Sequence, residues 1–104
     1  MKTVKTTIWD PAKYLETEAE ITAYLADAFS TNDTGLIVAA IGDVARARSM
    51  SKVAEDAACG RASLYKSFSS NGNPSFDTVV KVMSSLGYVI SPTPHHVASS
   101  GSIE

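Results

Sequence analysis

Apolar residues recur along this chain at helical spacing, and clusters of turn-forming residues divide them into segments. From about Glu18, the residues Ile21, Tyr24, Leu25 and Ala28 follow at i, i+3, i+4 and i+7, the stripe of an amphipathic helix. "STNDTG" interrupts it, with Asn32 and Asp33 as turn or N-cap residues. Ile37, Ala40, Ile41, Val44 and Ala47 mark a second helix, whose terminal Arg46 and Arg48 suit the negative end of the helix dipole. Ser49 is placed to cap a third, short helix with Val53, Ala54 and Ala57 inward. Gly60 breaks that pattern, and a fourth helix over 61–69 carries Leu64 and Phe68 on one side. "SSNGNP" is a dense turn cluster. Pro74, in a first turn, opens a fifth helix bearing Phe76, Val79, Val80, Met83 and Leu86, closed by Gly87. Ahead of all this, "WDPAKYL" sets Pro11 after Asp10, an N-cap and first-turn pair. "YVIS" predicts a short strand, and residues 92–104 read as a flexible tail. The pattern is that of a single all-α domain over 1–91.

Composition changes this picture little. A chain of 104 residues, 44% hydrophobic and 19% charged, has the makeup of one globular domain with a modest core. Cys59 is the single cysteine, which excludes a disulfide or a cysteine-based zinc site within one chain and suits a reducing compartment. No apolar run approaches the roughly 20 residues that cross a bilayer. The apolar part of "MKTVKTTIWD" is too short for a signal peptide. The expected location is cytoplasmic, with no membrane partner.

Charge adds more. The net charge of −2 weighs against a nucleic-acid partner, but it is unevenly spread. Residues 1–45 hold three lysines against seven acidic residues, a balance of −4. Residues 46–81 hold Arg46, Arg48, Lys52, Arg61, Lys66 and Lys81 against three acids, a balance of +3. Phosphate contact depends on the local field, so an acidic half beside a basic half points to two different partners, unless it is chance in a small protein.

No chemistry of catalysis is visible. There is no carboxylate pair, Ser-His-Asp set, P-loop or GxGxxG, and no cofactor or metal is expected. His95 and His96 are adjacent in a proline-flanked tail and cannot face one site from a regular helix. Cys59 reads as a core residue.

Two short helices joined tightly, with Ala54 in the first and Leu64 ten residues on, have the spacing of a helix-turn-helix. Ala54 must be small because the second helix crosses close over the first, and Leu64 plugs the angle between them. Ala58 stands where glycine is usual in such a turn. "SKVAEDAACGRASLYKSFSSNGNPSFDTVVKVMSSLGY" resembles the Xre/Cro type of helix-turn-helix domain. With "GDVARARSMS", "ASLYKSFS" and "GNPSFDTVVKVMSSLG", residues 9 to about 91 resemble the addiction-module antidote family of HigA-like antitoxins. That resemblance implies a five-helix lambda-repressor-like DNA-binding domain with a helix-turn-helix (core 33–88) and an extra N-terminal helix within 1–31. It also implies a homodimer on double-stranded operator DNA that represses its own operon and neutralises a RelE-superfamily toxin. A stand-alone Xre-type regulator and a protein-interaction module without DNA binding are the rival readings.

On this resemblance the fourth helix is the recognition helix. Arg61 is placed for a bidentate contact to guanine, Ala62 for a thymine methyl, and Ser63 for close approach. Tyr65 and Lys66, one turn on, reach bases or phosphates. Ser51 and Lys52 on the preceding helix meet the backbone, with Asn71 and Asn73 as further phosphate contacts. For the toxin, the acidic N-terminal segment offers Trp9 and Tyr14 as aromatic anchors and Glu16 and Glu20 as complementary charge. Tyr88, Val89 and Ile90, apolar after the last helix, are the expected dimer element.

Overall fold

The computed structural model describes residues 15–94, so Trp9, the Asp10–Pro11 helix start, Tyr14 and the two histidines lie outside the described residues. Five helices follow one another: α1 (Glu18–Ser30), α2 (Thr34–Arg48), α3 (Met50–Asp56), α4 (Arg61–Ser67) and α5 (Phe76–Ser85). No strand occurs among the described residues, and the "YVIS" segment is irregular and extended rather than a strand.

Local chemistry sets most of the boundaries. Thr17 caps α1 by accepting from the Glu20 amide at 3.1 Å, while the Glu20 carboxylate accepts from the amides of Thr17 at 3.0 Å and Glu16 at 3.1 Å. Asp33 caps α2 through the Leu36 amide, and Ser49 ends α2 while capping α3 through the Lys52 amide. Pro74 lies outside the helix rather than in its first turn: Ser75 is the N-cap of α5, which begins at Phe76, and the proline precedes the cap. The fourth helix also stops at Ser67 rather than Ser69, because Phe68 leaves the helical region at φ −104°, ψ 20°.

Left-handed residues follow α1, α3 and α5, at Asn32, Ala58 and Gly87. Gly87, at φ 93°, lets the Tyr88 amide return to the Met83 carbonyl at 2.9 Å and its own amide to Ser84 at 3.0 Å. Ala58, at φ 56°, makes the same closure after α3: the Cys59 amide bonds Ala54 and the Ala58 amide bonds Glu55. The unusual alanine is thus accepted in the left-handed conformation, at a cost of about 1–2 kcal/mol.

α2 is the central helix, burying Val38, Ala40, Ile41, Val44 and Ala45. Around it pack Ile21 and Leu25 of α1, Met50, Val53 and Ala54 of α3, Leu64 of α4, Phe68 just beyond it, and Val82 and Met83 of α5. Cys59 is half-buried against this core. Phe76 departs from the expected core stripe: it is 72% exposed, and Val80 one turn later is exposed too. The buried side of α5 runs instead through Val82, Met83 and Leu86.

α1 is latched to α2 by polar groups as well as by its apolar stripe. The Tyr24 hydroxyl donates to Asp43 at 2.5 Å, and Arg46 holds the other oxygen of that carboxylate. The Thr22 and Tyr88 hydroxyls meet at 2.6 Å, tying α1 to the segment after α5.

Gly42 lets the end of α4 approach α2. A Cβ there would stand 2.9 Å from the Phe68 carbonyl oxygen and 3.1 Å from the Phe68 Cβ. Helix propensity alone makes Gly42→Ala stabilising by about 1 kcal/mol. The crowding instead predicts a net loss of about 1–3 kcal/mol in urea unfolding, and a stabilised variant would refute this account of the packing. Ala58→Gly should move the other way, by about 0.5–1 kcal/mol, because it relieves the left-handed strain.

Burial, and then the hydrogen bond to Asp43, hold the Tyr24 phenol above its ordinary value of 10.0. The folded protein keeps a proton there that the unfolded chain releases. The associated stability is fully present below pH 10.0 and is lost as pH rises toward the folded-state value. Tyr24→Phe should flatten the alkaline fall in unfolding midpoint, and a fall as steep as that of the parent protein counts against the latch.

Candidate nucleic-acid interface

The pair α3 and α4 is joined by residues 57–60, with the Ala58 closure setting the change of direction. Gly60, extended at φ −70° and ψ 145°, starts α4 without a side-chain cap. Within α4 only Leu64 is buried, and Phe68 follows it into the core one turn later. Arg61, Ala62, Ser63, Tyr65 and Lys66 all face solvent. Tyr65 is partly covered, at 38% exposed. Arg61 lies 5.7 Å above the Tyr65 ring, so the two share one face of the helix and stiffen each other.

Ser51 and Lys52 are exposed at the start of α3, and Asn71 and Asn73 in the loop after α4. That loop is folded tightly at Gly72, where a Cβ would overlap the Ser67 carbonyl. Every DNA-contact position expected from sequence therefore lies on the surface.

Lys52 has a partner that was not expected. Its Nζ lies 3.1 Å and 3.3 Å from the two oxygens of Asp56, which also accepts from the Ser85 hydroxyl at 2.7 Å. The Ser85 hydrogen bond, then the one from Lys52, hold the Asp56 carboxyl below its ordinary range. The i,i+4 spacing made Lys52 and Asp56 legible as a pair, but only the packing of α5 on α3 brings Ser85 to them.

On the acidic side, Glu16 and Glu20 are exposed. Glu20 also serves as the reciprocal half of the α1 cap, and the Thr17 amide, then that of Glu16, keep its carboxyl below the usual range. It stays negatively charged while bound in the cap. Among the described residues, no cluster of His, Cys, Asp and Glu has the makings of a metal site, and no helix is long and apolar enough to cross a membrane.

No solved structure gives a significant match to the chain. A Haemophilus influenzae protein described as uncharacterized is 47% identical over 78 residues, which cover 75% of this chain and 80% of that protein. Residues 5–94 match the family described as "Probable addiction module antidote protein". The match spans all five helices, and the chain belongs to that addiction-module antidote family.

Proposed function

We propose that the protein is the DNA-binding antitoxin of a type II toxin–antitoxin module, which neutralises a RelE-superfamily toxin and represses its own operon. Membership of an antidote family implies a toxin partner in general. The observation that carries the DNA half is α4. Of its seven residues only Leu64 is buried, while Arg61 stands outward at the front of the helix and Tyr65 and Lys66 one turn on. That is the disposition of a helix-turn-helix reader, with Arg61 for a guanine edge and Ser51, Lys52, Asn71 and Asn73 for the phosphates.

One observation favours the rival reading of an interaction module without DNA binding. Lys52 is neutralised by Asp56, and Glu55 is exposed on the same helix, so the field over α3 is weak. Salt-dependent binding to the protein's own promoter separates the two readings. Arg61→Ala should cost about 1–3 kcal/mol per half-site and relax preference at one base pair. Lys52→Ala should weaken binding to all sequences alike and lower the salt slope by about one. Equal, sequence-independent losses for both would remove base readout from Arg61, and no salt-dependent binding at all would favour the interaction module.

Reading two half-sites about 34 Å apart needs a second copy. Of the expected dimer element, Tyr88 and Ile90 pack partly buried against the core and Val89 alone is largely exposed, so Phe76 and Val80 on α5 offer the exposed apolar pair instead. The adjacent Asp77–Lys81 pair, 2.9 Å apart, becomes complementary to itself under a two-fold rotation. Light scattering should show a dimer that Phe76→Glu converts to a monomer without loss of helicity; a variant that stays dimeric rules out this face.

A further inference from the structure

Two connected clefts run between α1 and the segment after α5. One, of about 210 Å³, has Leu25 and Met83 in its lining; the other, of about 670 Å³, continues between Phe29 and Pro94. Ala26, Phe29, Ile90 and Ser91 line both. No charged side chain lines either one, and the Thr22 and Tyr88 hydroxyls at one end already satisfy each other. Neither cleft therefore offers a charged group to a small ionic ligand, although Ser30, Asn32, Ser91 and Thr93 stand in the wall of the larger one. Val89, 86% exposed, stands apolar at the rim.

The charge lies just outside. At 100° per residue, Asp27 is one step round α1 from Ala26, and Glu20 falls beside Asp27 two turns earlier. Between the cleft and these acids the surface of α1 is small: Ala19, Ala23, Ala26 and Ser30, all exposed. An apolar trough, a low ridge and an acidic border therefore lie parallel along one helix.

We propose that this cleft is where the antidote seats a basic amphipathic helix of its toxin, apolar face in the trough and cationic face on Glu20 and Asp27. The inference rests on the antidote reading. It places the apolar anchors at Ala26 and Phe29 of α1 and at Val89 and Ile90 beyond α5, and adds Asp27 to the acidic set. Added strand pairing is disfavoured because Pro92 and Pro94 cannot donate to a ladder. A second copy is disfavoured because two-fold docking of this face brings the acidic borders of both copies together.

The test uses the full-length protein and a synthetic helical peptide of about 18 residues, leucine on one face and lysine on the other. Amide shifts in the labelled protein should cluster at Thr22, Ala26, Phe29 and Ile90. Ala26→Arg and Val89→Arg should each weaken binding about tenfold, while the charge-matched Ala39→Arg on exposed α2 should leave it within about twofold. Shifts spread over α4, equal losses in all three variants, or a dimer that Val89→Arg dissociates would each overturn the proposal. Unchanged thermal midpoints and promoter binding show that the variants fold. Co-expression with the product of the adjacent toxin reading frame separates the cleft from the reading beneath it. Growth restored by the parent but not by the Ala26→Arg/Val89→Arg double variant supports the cleft. Growth restored by both sinks the cleft and keeps the antidote reading, and growth restored by neither sinks both.

Discussion

The contact on which the rest of the arrangement depends is the seating of Phe68 against α2, made possible by the missing side chain at Gly42. Phe68 is fully buried at the end of α4, and Leu64 is buried one turn before it. These two fix both the height and the rotation of a seven-residue helix that is too short to persist on its own. If Gly42 carried a Cβ, α4 would have to move outward or turn. Every outward group from Arg61 to Lys66 would then point elsewhere, although none of them touches the glycine.

The same economy explains the weak field over the basic half. Of the six cationic side chains between residues 46 and 81, Arg46, Lys52 and Lys81 sit in ion pairs within their own helices. Exposed pairs of this kind are worth little, typically below about 1 kcal/mol, so a phosphate can displace the carboxylate readily. Arg46 and Lys52 are exceptions in degree, because Asp43 is also held by Tyr24 of α1 and Asp56 by Ser85 of α5. Asp56 and Asp77 are already counted in the +3 balance of this stretch, and only the Arg46 pair draws in a carboxylate, Asp43, from the acidic half.

The starts of α2 and α3 were legible because each depends on neighbours in the chain, whereas Ser75 rather than Pro74 starts α5. Ser49, Asn32 and Asp33 act where the sequence placed them, and the left-handed Ala58 follows from the tightness of the turn. Contacts between distant residues were not legible. Phe76 falls on the same helical spacing as Met83, yet it is exposed, since periodicity defines a face and not the length of partner available to cover it. The Tyr24–Asp43 and Ser85–Asp56 bonds join helices whose relative rotation no local pattern encodes. The cleft between α1 and residues 88–94 arises in the same way, because a segment expected as strand and tail lies along α1. Of the candidate interface, the exposed positions and the i,i+4 spacing of Arg61 with Tyr65 and of Lys52 with Asp56 were readable, while the hold of Ser85 on Asp56 belongs to geometry.

The division of labour within α4 has a consequence for how such a protein diverges. Its attachment to the core rests on Leu64 and, just past its end, Phe68, with Tyr65 partly covered, while Arg61, Ala62, Ser63 and Lys66 are exposed. Surface substitutions of this kind usually change stability by no more than about 0.5 kcal/mol. A lineage can therefore rewrite the outward side of this helix step by step, exchanging one preferred partner surface for another, without passing through an unfolded intermediate sequence.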